Sequence, residues 1–487
     1  MTRRTTPVAG SAGDALIGRS NFTSCTAAPA QEVQYADNLQ LAAVVVYILS
    51  QGFTFPIVAF TRSMYLWPVL SDLATLFLVA VHLSRSQLVN PMDRTERSFW
   101  RLLVLGVTMA LASTVYTSFT SPQGPTLAGL AGSYQTLRLV EFGVVWHCIR
   151  GMAFSPQHLA RISSAVYAVT AFIVAVALGQ ATGLFPGAML AAHLPADSPW
   201  GAVRSMNGPH RPFGPIGINA GGMVNYLTVF TALLLAGRKP AAAFRVPLIA
   251  VAAVVVFLTG SRGATVGFAT MFVAASATSV RRFVFTLAAA IVFAVIAPRI
   301  LGQTDEEVGA YAQRRSASIL NRQQDPTLSG RTIRWTDTVQ YVRSNPEVLI
   351  TGIGWGMGEM GIPGVPGNAH NMYLQSLLEG GVLGLALYLM LLLTAFRLLR
   401  GSLPDLAGPR AAYAGLLVAG FTGEVLWPTF LNGHFLGFTF AMLAIAGAAS
   451  RGYVQSSRTV WRTRVKTGSR QSLDVPRSTQ RVEGSRG

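Results

Sequence analysis

Long apolar runs recur from Leu39 to Ser450 with very few charges among them, and this limits what the chain can fold into. Charged residues make up 12% of the 487, where a soluble domain carries about a quarter. A bilayer-spanning helix needs about 20 predominantly apolar residues. Runs near that length lie at 39–60, 64–83, 99–118, 131–149, 162–183, 216–236, 246–260, 263–280, 283–301, 372–396, 411–430 and 434–450. The sequence therefore reads as an all-α, polytopic membrane protein of about twelve transmembrane helices. It divides into a disordered tail at 1–37, nine helices within 38–301, an external loop at 302–371, three helices within 372–450 and a basic, disordered tail at 451–487.

The formal charge of +18 is nearly all arginine, the only lysines being Lys239 and Lys466. In a soluble chain this balance suggests nucleic-acid binding. Here the cations flank apolar runs, so they orient the helices instead. With both termini cytoplasmic, the inside links carry Arg85, Arg94, Arg97 and Arg101, then Arg150 and Arg161, then Arg238, Lys239 and Arg245, then Arg281 and Arg282, then Arg397, Arg400 and Arg410. Cys25 and Cys148 form no disulfide framework, and no Cys/His cluster has zinc spacing.

Three outside elements run against the orientation rule: 184–215 with Arg204, His210 and Arg211; the hairpin Gly260-Ser261-Arg262-Gly263; and 302–371, rich in arginine. A snorkelling arginine at a helix end is the plain explanation for Arg262. Its place in a tight glycine turn on the disfavoured side argues instead for an anion partner. A helix over 329–343 is expected, capped by Ser329, stopped at Asn345-Pro346 and buried through Ile333, Trp335, Val339 and Val342. Arg331 falls in its first turn, where a cation is disfavoured unless an anion binds, so it either holds an anion or points into water. The glycines of 352–358 let backbone approach a ligand or fold sharply. His370 stands at the outer head of an apolar helix, where it is either a general base or a histidine bonded to a carbonyl. Glu379 lies about 13 Å further along, on the opposite face, and is expected to bond a neighbouring helix. Glu141 and Glu424 read as scattered intramembrane acids, and Asp305-Glu306-Glu307 as a solvated run.

In this order, Thr259-Gly-Ser-Arg-Gly263, Ser329-Gly-Arg331, Asn345-Pro-Glu-Val-Leu-Ile-Thr-Gly-Ile-Gly354 and His370-Asn-Met-Tyr-Leu-Gln-Ser-Leu-Leu-Glu-Gly380 resemble the O-antigen ligase/polymerase family of bacterial membrane glycosyltransferases. His210-Arg-Pro-Phe-Gly-Pro-Ile-Gly-Ile-Asn219 is similar to its external motif, and the resemblance covers about 200–400. It implies a GT-C-like helical fold with a large periplasmic loop between the ninth and tenth helices, in the inner membrane. It also implies transfer of a glycan from a polyprenyl-pyrophosphate carrier to an acceptor hydroxyl on a glycan, lipid or protein, without nucleotide, metal or other cofactor. By the same resemblance His370 is the base and Arg262 and Arg331 bind pyrophosphate. Arg211, His210, Asn371, Ser261 and Arg334 complete the substrate site. Ligase and polymerase both remain open. The rival class, a flippase for lipid-linked saccharides, calls for inverted repeats or a ladder of membrane charges, and neither is visible.

Reporter fusions are expected to place the link after Arg238 and the C-terminal tail in the cytoplasm, and 302–371 outside. Removal of the chain after Ser456 is expected to leave turnover intact. A cytoplasmic 302–371 contradicts the scheme.

Overall fold

The computed structural model describes residues 35–54, 69–85, 90–120, 125–184, 212–216, 220–236, 241–276, 331–359, 364–399, 407–423, 425–427 and 435–451, with Val284 and Ala288. Nearly all of both tails, most of the expected span 283–301, and His210, Arg211, Ser329, Asp305-Glu306-Glu307 and Glu424 lie outside the described residues.

The membrane helices are α1 (Asn38–Ser50), α2 (Leu70–Ser84), α3 (Arg94–Thr120), α4 (Pro125–Arg150), α5 (Pro156–Ala181), α6 (Ala220–Ala236), α7 (Ala242–Thr259) and α8 (Arg262–Ser276). Two helices of the long loop follow, α9 (Arg331–Ser344) and α10 (Pro346–Thr351), then α11 (Met372–Leu398), α12 (Ala407–Ala419) and α13 (Phe435–Arg451). Among them α3, α5, α7 and α11 are long and apolar enough to cross a bilayer, and α1, α2, α6 and α13 are shorter apolar helices. Local chemistry sets several starts. Asp37 and Gln40 form a reciprocal capping box on α1, with bonds of 2.8 and 3.0 Å. Ser155 caps α5 with Pro156 at its first position. The expected span 64–83 begins at Leu70. The expected span 411–430 stops at Ala419, because Gly420–Gly423 turns the chain.

Small residues let the helices approach, as lipid-embedded packing requires. A methyl added to Gly267 would lie 2.7 Å from both the Ala419 Cβ and the Gly415 carbonyl, so α8 and α12 meet backbone to backbone. Gly132 is filled by Thr114, and Gly143 by Leu103, between α3 and α4. The core is aromatic, with the Phe99 ring tilted 4.9 Å from Trp146 and Tyr226 edge-on 4.9 Å from Phe435.

Contacts between helix ends sort into two sets. At one end Arg85 pairs with Asp37 at 3.0 Å. There Glu96 meets Arg451 at 2.5 Å and Arg150 at 3.7 Å, while Asn90 and Arg150 bond across the α4 terminus. Arg410 also bonds the Leu399 carbonyl at that end. At the other end Thr54 N–H donates to Pro215, Gln180 holds Phe213 and Gly214, and Met372 N–H donates to Gly420 and Gly423. Each of these contacts joins links that the alternation of spans puts on the same side. Within the bundle, Glu141, expected to be a scattered acid, is instead grouped with Asp72. Arg138 of α4 binds Asp72 of α2 at 2.6 Å and Glu141 at 2.5 Å, and Thr75 donates to Glu141 at 3.2 Å. A lone membrane carboxylate is costly, so each acid shares the one guanidinium.

One membrane helix is broken. At Gly381 of α11 the backbone turns to φ 63°, ψ −164°, a region open almost only to glycine. In an unbroken helix the carbonyls of Leu378 and Glu379 would accept from residues 382 and 383. Here Ile353 N–H takes the first at 2.8 Å and Gly354 N–H the second at 3.2 Å. Gly381→Ala adds a methyl against the Ile350 carbonyl and forbids the backbone angle. It is expected to lower unfolding stability by at least about 2 kcal/mol, read as a fall in Tm of the detergent-solubilised protein.

Candidate active site

At the end of the bundle where Met372 begins α11, three sequence-predicted elements meet. The first is the α7–α8 turn. Gly260 takes a left-handed conformation at φ 62°, Ser261 supplies the carbonyl that accepts Thr265 N–H at 2.8 Å, and Arg262 is the first residue of α8. Next to it, Gly263 presses on Thr422, with no room for a Cβ. The turn 420–423 therefore seats the arginine's helix, and it also receives the second element. Met372 N–H bonds Gly420 and Gly423 at 2.9 and 3.1 Å, and the Asn371 amide donates to Phe421 at 3.0 Å.

Asn371 is 7% exposed, and its carbonyl oxygen caps α11 by accepting from Tyr373 and Leu374 N–H. Its carboxamide is thus engaged on both sides, which fixes the direction of the residue before it. That residue, His370, is the one non-glycine with positive φ among the described residues, at 49°. Its N–H bonds the Asn368 side chain at 2.8 Å. A left-handed histidine is strained unless its surroundings hold it, and such strain gathers at functional sites.

The third element is α9, whose Arg334 donates to the Asn368 carbonyl at 3.2 Å. Arg331 opens the helix one turn earlier, half-buried. The buried face of α9 differs from expectation. Ile333 and Val339 are exposed and Trp335 is half-buried, whereas Val342 is buried as expected and Thr338 is buried with it. The helix is short and packs through Val342 and Tyr341, beside Val348 and Leu378, onto the outer part of α11.

Glu379 was expected to bond a neighbouring helix. It is fully buried, and it gathers the glycine segment instead. Its oxygens accept from Gly356 N–H at 3.2 Å, Gly358 N–H at 3.3 Å, the Trp427 indole at 3.1 Å and the Gln375 amide at 2.7 Å. The anion cradled by the glycine run is thus the chain's own carboxylate. Gln375 in turn accepts from Ala369 N–H at 2.9 Å. Sequence reasoning passed over Gln375, Trp355 and Trp427. The available signals were Gly420, Gly423 and Pro428 inside a supposed span, and the Gly380-Gly381 pair inside another.

Below this platform a cavity of about 90 Å³ runs between α3, α11, α12 and α13. Trp355 and Trp427 line it at one end, and Leu102 and Ala395 at the other. Its hydroxyls at Thr351, Thr439 and Tyr413 are spent on carbonyls, the Tyr388 hydroxyl has no partner among the described residues, and the rest of the wall is mostly apolar.

Residues 247–389 match the model of a family described as O-Antigen ligase. The match takes in Ser261, Arg262, Arg331, Arg334, His370, Asn371 and Glu379, and leaves out His210 and Arg211. No curated protein matches the chain.

Replacement of Asn371 separates its two bonds. Asn371→Asp keeps the cap and loses the donor to Phe421, whereas Asn371→Ala loses both. The alanine variant is expected to be less stable than the aspartate by about 1 kcal/mol, read from Tm.

Proposed function

We propose that this chain is an O-antigen ligase-type enzyme that transfers a glycan from a polyprenyl-pyrophosphate carrier to an acceptor hydroxyl, on the outer face of the inner membrane. The observation that carries the reading is the meeting of Arg262, the Arg331–Arg334 helix and a left-handed His370 at one end of an apolar bundle. In this reading the chain has about twelve spans in a GT-C-like arrangement. Its domain limits are those given by the sequence, with 302–371 external and both tails cytoplasmic.

The chemistry follows from charge. As the anomeric C–O bond breaks, the electron pair stays on the leaving pyrophosphate, and Arg262 and Arg331 neutralise it through forked guanidinium contacts. The acceptor oxygen attacks from the opposite face while its proton passes to the His370 imidazole, so the anomeric centre inverts. Arg334 acts through the Asn368 carbonyl and Ser261 through the turn that starts α8, while Asn371 sets the loop. His210 and Arg211 join the donor from the preceding outside loop. The reaction draws on no metal or other cofactor.

Turnover of a polyprenyl-pyrophosphate glycan with a panel of acceptors tests this. Arg262→Ala and Arg331→Ala are expected to lower the rate by about 10²–10³, with lysine only a partial rescue at either position. His370→Ala is expected to abolish transfer while leaving membrane insertion intact. His370→Gly removes the imidazole from a position whose backbone suits glycine. It is expected to be inactive at an undiminished Tm. Activity is expected to survive EDTA, and retention of the donor's anomeric configuration sinks the mechanism.

A further inference from the structure

Glu379 is buried about 13 Å along α11 from His370 and takes no part in the chemistry above. Its bonds nevertheless lead back to the histidine. Its Oε1 accepts from Gln375 Nε2 at 2.7 Å, and Gln375 Oε1 accepts from Ala369 N–H at 2.9 Å, at the peptide next to His370. Gln375 and Glu379 are both 0% exposed, so water does not compete for either link.

We infer that Glu379 is a positioning residue for His370, acting through the direction it imposes on the Gln375 carboxamide. A carboxylate only accepts, so it compels Gln375 to turn its NH2 toward residue 379 and its oxygen toward Ala369. The amide of Gln375 thereby becomes a one-way connector. Its oxygen holds the Ala369 N–H, and the Asn368 side chain holds the His370 N–H. Two consecutive N–H groups fixed in this way keep His370, which carries the second of them, in its left-handed conformation. The inference rests on His370 being the residue that serves the reaction.

The directionality supplies its own test. In Glu379→Gln the new side chain keeps one oxygen and gains an NH2. With that oxygen on Gly356 and Trp427, its NH2 faces Gln375, which must flip. The flipped amide then opposes the Ala369 N–H. In the double variant Glu379→Gln with Gln375→Glu, residue 375 is acceptor-only and takes both the residue-379 NH2 and the Ala369 N–H. The loop is restored, although Gly358 N–H still lacks its acceptor.

The readouts are amide hydrogen exchange over 367–371 and steady-state turnover, measured on the full chain in nanodiscs. The expected result is faster exchange and a kcat lowered by about 10²-fold in Glu379→Gln, with donor KM little changed and both effects reversed by the swap. Unchanged exchange in the single variant overturns the inference. So does loss of activity that the swap fails to rescue, because Glu379 would then act through the glycine segment or through stability alone. If exchange responds and is rescued but turnover does not move, His370→Gly distinguishes the two readings. An inactive His370→Gly protein refutes the positioning role, and an active one refutes the role of His370 itself.

Discussion

A membrane-embedded helix is not free to stop hydrogen-bonding, because the hydrocarbon around it offers no substitute partner. The break at Gly381 leaves the carbonyls of Leu378 and Glu379 in need of donors, and the segment after α10 supplies them through Ile353 and Gly354. This exchange fixes a piece of the long loop inside the bundle. Once those two bonds are made, Gly356 and Gly358 lie where the Glu379 carboxylate needs donors, and the Trp355 N–H reaches Ser113 of α3 at 2.9 Å. Glycine is required on both sides of the contact. A Cβ at Gly352 would strike the Glu379 carbonyl, and one at Gly381 would strike Ile350.

The rest of the site follows from that anchorage. With 352–358 held, α9 is brought onto α11 at Leu378, and Arg334 reaches the loop before His370. The turn 420–423 closes the other side by seating the start of α8 and the cap of α11 together. The site is thus assembled where helices begin or break, which are the places in a membrane bundle where backbone and cationic groups face polar partners instead of lipid. The apolar wall beneath it and the cationic rim above are compatible with the lipid-linked glycan proposed as donor.

Hydropathy alone gave the helices, because a 20-residue apolar run has few alternatives; α3, α5, α7 and α11 lie within a few residues of expectation. The order of motifs singled out Arg262, Arg331 and His370, and the elements that carry them meet at one end of the bundle. The exceptions to helical regularity were not legible. Gly420 and Gly423 read as tolerable within a span, since glycine is common in membrane helices, and only the packing of Thr422 on Gly263 shows that they end one. The partners of Glu379 were hidden for a similar reason. Helical geometry predicts the face on which a residue lies, but it does not predict that a distant loop descends to meet that face. The α9 stripe failed because a periodic pattern says which residues share a side, and a lightly packed helix uses only part of that side.

The end of the bundle opposite the site carries a different kind of consequence, in the order of biosynthesis. Glu96 bonds Arg150 and Arg451, and the second lies 355 residues further along the chain. At ordinary rates of synthesis Glu96 waits roughly 20–70 s for it. The nascent first four helices are meanwhile charge-neutral at this point through Arg150 alone, so they can pack early without a stranded acid. When α13 arrives, Arg451 adds a second cation and also bonds the Met152 carbonyl. The first helices to pack and the last to be made are therefore joined at a single carboxylate, and the bundle closes only after the final span has left the ribosome.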